Sequence, residues 1–563
     1  MTELRFDPRV DVQPRGLPEG QADVSVRGGL FENTGFGVVP VTLLDPQTGH
    51  YGAELPFHPR MLSAPDVATG IDNAIDGFNS TVATVRHEPV AVQSGGEVMA
   101  GAGDHDLRLF DLRAARALEL SGGGRLGLEL AHSRARGDGS RDGGDHDFER
   151  VAARVQHRAA AQQTDLLYGR QEKFFGWPGA YTGFATFAET DRTETDVLLV
   201  RHRRQLERGW WAVGGYYRRL EDDYDFDRTT QESGVPGAFE HETRSYGIAA
   251  RGVLGAAGLD WHWTVQLAGD ELVRSTDLTG GDFDERRYVE LALVPERRWW
   301  FAGGAELSVR GGVTVDHSNR DDDAVLPVLG IVLTRPTATA VDRISIEYAA
   351  SSQVPGYTAL KSPPAGLFGG NPDLGRERAD SVSATAEREA AAWHGRVTLF
   401  HRRDDDLVDW TFRAAAPFVR QANAVDMSVN GLELELGRRW GALELIGGLT
   451  LLHKDEDYDD AAVDASYYAL NYAKQRVTLA LRYAPFEWLD VRLDNELARY
   501  RNNALRTGDD DVYQAALSVG WRTPVPGLRV ELVADNLTND DFQHFPGTPP
   551  PRRQVSLQAR WGW

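Results

Sequence analysis

The chain has no cysteine among its 563 residues. Thiol catalysis, iron–sulfur clusters, cysteine-ligated zinc and disulfide staples are therefore excluded. Lysine is nearly as scarce, confined to Lys173, Lys361, Lys454 and Lys474. Long apolar runs are missing as well: nothing approaches the roughly 18 residues that a membrane helix needs, and mean hydropathy is −0.41. There is no basic surplus. With a formal net charge of −23, nucleic acid is not a natural partner, because a phosphate backbone asks for a cationic footprint. Met1–Val10 (MTELRFDPRV) carries neither the basic start nor the apolar core of an export signal.

What is present is alternation. Leu126, Leu128 and Leu130 alternate with Arg125, Gly127 and Glu129, and Leu432, Leu434 and Leu436 alternate with Glu433 and Glu435. Val477–Tyr483, Leu489–Leu493 and Leu517–Trp521 repeat the pattern. Period two over such lengths describes strands with one apolar and one polar face. Short turns are expected at 121–124, 159–163, 206–209, 254–259, 295–298, 335–342, 391–395, 438–441, 484–487 and 523–527. Between them lie long acid-rich stretches, expected as loops: GDGSRDGGDHD from Gly137, EDDYDFD from Glu221, DHSNRDDD from Asp316, HKDEDYDD from His453 and RTGDDD from Arg506. Tight turns at one end and long loops at the other give an all-β, antiparallel up-and-down transmembrane barrel of about twenty-two strands.

Tryptophan supports this. Of 14 in the chain, only Trp177 and Trp410 lie away from a short turn or the chain end. Amphipathic rings settle at the headgroup level, so such clustering is the girdle of a membrane barrel. Val555, Leu557, Ala559, Trp561 and the terminal Trp563 share one face of a closing strand.

Residues 1–92 lack the hairpin pattern and read as a partial α+β domain, with the barrel at 93–563. Here the chain resembles a known family. VDVQPRG (Val10–Gly16), DVSVRGG (Asp23–Gly29) and DPQTGHYGAELP (Asp45–Pro56) are similar to the plug of TonB-dependent outer-membrane receptors. NPDLGRE (Asn371–Glu377), NGLELEL (Asn430–Leu436) and DNLTNDDFQHF (Asp535–Phe545) resemble barrel segments of that family. The resemblance implies a plug folded inside the lumen, residence in the Gram-negative outer membrane, a TonB partner that pulls on the plug, and uptake of a scarce, bulky nutrient. Cobalamin (vitamin B12) or another corrinoid is the first expectation and a ferric siderophore the second. The plug is shorter than the family's, lacking its early part and the box gripped by TonB, and Leu62–Ala83 lacks the R-x-E-V-x-R-G-P element. A passive pore or degenerate surface-binding barrel is the alternative. Enzymatic activity is not expected, since neither a G-x-S-x-G elbow nor an H-x-x-x-H pair occurs in a fitting context.

Candidate ligand residues are aromatics placed where a solvated loop has no use for them. Lys173–Phe187 gathers Phe174, Phe175, Trp177, Tyr181, Phe184 and Phe187; an aromatic-lined mouth and a loop packed on its own small core both fit this segment. Trp410 and Phe412 form a second patch. On the plug, Phe31, Glu32, Asn33, Thr34, Gln47, Thr48, His50 and Tyr51 suit either ligand contact or plug-to-barrel bonding. Asp222, Asp223, Asp225 and Asp227, like Asp138, Asp142, Asp145 and Asp147, offer closely spaced oxygens for calcium, although neither run follows the D-x-D-x-D-G pattern; solvated loop tips are the other reading. The resemblance disfavours haem, because haem receptors of that family place an axial histidine shortly before the NP-x-L segment and Gln353–Leu374 contains none. A monomer is expected, with arginine available to pair with lipopolysaccharide phosphates.

Overall fold

The structure, a computed structural model, describes residues 4–17, 20–230, 238–335, 341–414 and 419–563. Met1–Glu3, at the head of the decapeptide inspected for export, and most of the turn expected at 335–342 lie outside these.

From Gly95 onward the chain forms a single closed ring of antiparallel strands. Twenty-three segments pair in it; one, Ala465–Ser466, is a two-residue rung, leaving twenty-two wall strands. The ring closes where Gln554–Gly562 pairs with Gly95–Gly103, with Ser556 opposite Gly103 and Gly562 opposite Glu97. Closure satisfies every edge, which lipid requires because it offers backbone groups no partner.

Wall faces follow the alternation. On Arg125–Gly137, Leu128 and Leu130 are exposed on the outer surface, whereas Glu129 is buried on the lumen side, paired with Arg113 and Arg154. Most of the tryptophans assigned to the girdle are exposed at the turn-side ends, among them Trp300, Trp393, Trp440, Trp488, Trp521 and Trp563. Trp177 and Trp410, the two outside that belt, are buried.

Two details differ from the sequence pattern. No turn forms at 295–298; the strand Glu285–Trp300 runs on and the chain reverses at 301–305. Pro295 is absorbed because the ladder to the next strand skips from Leu293–Val313 to Glu296–Arg310, so its missing N–H interrupts nothing. The acid-rich stretches are only partly loops. Glu221–Asp225 ends the strand Gly209–Asp225, and His453–Asp457 ends Leu443–Asp457. Charge does not end the pairing: on these strand ends some charged residues are exposed, such as Asp223, and others are buried, such as Asp222 and Lys454. Strand lengths accordingly run from 8 residues at Leu528–Asp535 to 22 at Val419–Trp440.

The N-terminal residues fill the lumen. β1 (Val10–Pro14) and β2 (Ala22–Val26) form a hairpin. β3 (Thr34–Val38), β4 (Val41–Leu43), β5 (Asp66–Thr69) and β6 (Ala83–His87) form a sheet in the order β4-β3-β6-β5, with β3 and β6 parallel. The helix α1 (Ile71–Asp76) buries Ile71, Ala74 and Ile75 against Val294, Val328 and Ala349 of the wall. Val38, Val41, Leu43 and Met61 pack on Leu167, Val197 and Leu199. Polar contacts complete the fit: Arg27 donates to Glu433 at 2.9 and 3.0 Å, Arg5 to Glu496 at 2.9 Å, and Arg154 to the Met61 carbonyl at 2.8 Å.

Leu130 is 64 % exposed midway along its strand. The substitution Leu130→Arg is expected to destabilise the barrel by about 2–4 kcal/mol, measured as a shift in the urea midpoint of the protein in lipid vesicles. No shift would mean that this face does not meet lipid.

Candidate functional site

The plug presents its apex to the long-loop end through the segment after β4. Asp45 organises that segment: its carboxylate accepts the backbone N–H of Tyr51 at 2.8 Å and that of Gln47 at 3.4 Å. Gly49 supplies the left-handed backbone (φ +75°) that the reversal needs. Gln47, Thr48, His50 and Tyr51 thereby line a cavity of about 60 Å³ with Glu32, Tyr181, Trp410, Arg420 and Tyr468. Asp222, Tyr224, Phe239, His241, Asp277 and Phe368 complete its wall. That volume holds a few waters, so a larger guest requires the surrounding loops to part.

Two arginines set the electrostatics. Arg15 is fully buried; it donates to Asp23 at 2.9 Å, to the Ala180 carbonyl at 3.0 Å and to the Tyr468 hydroxyl at 2.7 Å. Its guanidinium lies 4.2 Å from the Phe545 ring centre and 5.2 Å from that of Tyr181. One plug side chain thus holds three outer connections over the apex. Arg420 stands 4.2 Å from the Tyr467 ring centre, 5.1 Å from Phe368 and 5.4 Å from Trp410. It donates to the Tyr181 carbonyl at 2.6 Å, while its buried Nε has no partner among the described residues. A guanidinium stacked on aromatic faces with a donor in hand is an anion-recognising group.

Titratable groups of the plug and loops are shifted by enclosure. His50 stacks on Phe31 at 4.2 Å and meets Asp23 at 2.9 Å; burial, reinforced by Arg15, pushes it down to about 4, so it is neutral at pH 7. Burial, followed by Glu377, raises Glu32 well above the usual carboxylate range. Asp277 is pushed up to about 6 by burial. No group of three or more histidine, aspartate or glutamate side chains among the described residues is arranged to hold a metal ion.

A family model for the TonB-dependent receptor-like β-barrel matches residues 114–537. The chain belongs to the TonB-dependent receptor family. Solved structures sharing this fold include the copper transporter OprC (TM-score 0.79, 14 % identity, covering 100 % of this chain and 98 % of that one). They also include the FrpB iron transporter of Neisseria meningitidis (0.77, 13 %, 100 % and 96 %) and the siderophore receptor PirA of Pseudomonas aeruginosa (0.71, 14 %, 99 % and 95 %). No curated protein matches the sequence. As a TonB-dependent receptor, the protein is an outer-membrane barrel of the transporter class, and its cavity lies between plug residues and residues of the outer loops.

The receptor brings together Glu32, Gln47, Thr48, His50, Tyr51, Tyr181, Trp410 and Asp222 of the sequence-derived candidates. Others serve elsewhere. Phe175 and Trp177 are buried with Leu17 and Tyr224, and Trp177 packs so closely on Gly16 that a Cβ there would overlap its ring. Phe174 is half-buried on the opposite face of their strand; Phe184 pairs with Phe187, which in turn meets Phe226. Phe31 backs His50, and Asn33 is engaged by the Leu30 N–H at 2.9 Å and by Glu377 at 3.2 Å. The aspartate run does not converge: strand alternation puts Asp222 and Asp223 on opposite faces of the wall, Asp225 accepts the Asp227 N–H at 3.0 Å, and Asp227 accepts that of Thr229 at 3.0 Å. Arg420, Tyr468 and Phe368 were missed. The paired tyrosines at Tyr467–Tyr468 follow the same rule as Lys173–Phe187; a lone arginine carries no such signal.

His544, in the last outer loop, is also buried and held down to about 4. An unfolded histidine takes up its proton near pH 6.5, so between about 6.5 and 4 the unfolded chain binds more protons. Stability from both groups is complete above that window and is lost as pH falls through it. The melting temperature is expected to fall from pH 7 to pH 4, with His50→Gln and His544→Gln each flattening the profile; unchanged slopes in both would contradict the assignment.

Proposed function

We propose that the receptor takes up an anionic ferric chelate of the siderophore class. Arg420 carries this reading: it lines the cavity, its guanidinium is caged by Tyr467, Phe368 and Trp410, and its Nε has no partner among the described residues. Anionic oxygens of a chelate satisfy that donor, and planar metal-binding arms fit between the rings. A corrinoid offers less for the guanidinium to bind. Copper held through sulfur has no ligands here, since soft ions prefer thiolate and thioether and no cysteine or methionine lines the cavity. The iron and siderophore names of two structural neighbours support the same direction.

Calorimetry with a panel of ferric chelates and cyanocobalamin tests this. Arg420→Ala and Trp410→Ala are each expected to weaken the bound chelate by about thirtyfold. Tight binding of cyanocobalamin with no chelate bound would replace the proposal with the corrinoid reading. In planar bilayers the purified protein is expected to show no constitutive current, because the plug is bonded to most of the wall; large steady currents would favour a passive pore.

A further inference from the structure

Beside the ligand cavity, the plug meets the wall at a second buried polar cluster. Asp191 lies on the strand Ala188–Leu206 and Asp222 on its neighbour Gly209–Asp225. The register sets Thr193 opposite Asp222 and Asp191 opposite Tyr224, so the two aspartates are diagonal neighbours on the lumen face. They are 1 % and 3 % exposed, and their carboxyl groups come within hydrogen-bonding reach of each other. Tyr51 donates to Asp191 Oδ2 at 3.0 Å, Tyr181 donates to the same oxygen, and the Gln47 amide donates to Asp222 Oδ2.

Those bonds leave three oxygens over. Asp191 Oδ1, Asp222 Oδ1 and Gln47 Oε1 are all buried, and among the described residues none of them has a hydrogen-bond partner. The cation beside them, Lys173, is paired with Glu54. Two dry carboxylates in contact cannot both remain ionised without a positive charge between them. An amide carbonyl and two carboxylate oxygens form a hard donor set, which suits calcium and not copper or zinc.

We propose that Asp191, Asp222 and Gln47 bind one calcium ion that ties the plug to the barrel wall. Of the acidic run Asp222–Asp227, only Asp222 takes part; its partners come from the neighbouring strand and the plug. Asp222, Gln47, Tyr51 and Tyr181 also line the cavity, so, on the proposed reading of that cavity, the ion would set the positions of side chains that meet cargo. A divalent charge balances the two carboxylates, and the unused Gln47 carbonyl gives the ion a ligand from the moving part.

The test uses the full-length protein in detergent, washed with chelator and titrated with calcium chloride in sodium-free buffer, with magnesium in parallel. One calcium per chain and a higher melting temperature are expected for the wild type, both abolished by Asp222→Asn. Gln47→Leu keeps both carboxylates and decides the matter should the aspartate variant not fold; it is expected to weaken calcium by more than about tenfold. No saturable calcium binding by the wild type would show that the pair shares a proton and would overturn the proposal. Calcium binding unchanged in both variants would place the ion elsewhere and overturn it equally. The measurement uses the metal alone, so its failure leaves the chelate reading standing.

Discussion

The rest of the structure depends on the pairing of the last strand with the first. Once Gln554–Gly562 is zipped to Gly95–Gly103, no backbone edge faces lipid, and the wall can carry leucine outside and charge inside. That closure creates the next problem, because twenty-two strands enclose a lumen lined with ionisable side chains. Such groups stay ionised away from bulk water only when partnered. The plug is the partner: Arg5, Arg27 and the Met61 carbonyl each meet a wall group, and its valines meet an apolar patch of the wall. Plug and barrel are one electrostatic unit in which neither surface is complete alone.

The apical site follows from the same fit. Arg15 is too deep to be solvated, so it is satisfied by Asp23 and by groups from three outer connections. Those contacts draw the loops over the plug and leave a small cavity. Asp23 also receives His50, so the residue at the cavity floor and the residue that gathers the loops share one carboxylate. A guest that displaces His50 would disturb the contact that holds the loops together.

The barrel was largely legible because lipid imposes a one-sided requirement on every second residue. Alternation at Arg125–Gly137, the girdle tryptophans and eight of the nine short turns that lie within the described residues all express it. The signal weakened where the plug touches the wall. Val197–Val200 reads as a continuous apolar run because Leu198 and Val200 face lipid while Val197 and Leu199 face plug valines, the pattern of a strand buried on both sides. It weakened again at 295–298, where proline and charge resemble a turn but sit on an interrupted ladder, and in the acidic stretches, where charged strand ends resemble loops.

The candidate site was legible only by residue type. Aromatics out of place pointed to Tyr181 and Trp410, and also to Trp177, whose ring is spent on the close approach to Gly16. The sequence by itself determined a lipid-facing cylinder of strands and a distinct N-terminal piece, because burial in lipid writes a periodic pattern along the chain. Only the tertiary structure decided which side chains share a space. Arg15 with Phe545, His50 with Asp23, and Asp191 with Asp222 and Gln47 meet through strand register and plug docking, and those distances leave no mark in the local order of residues.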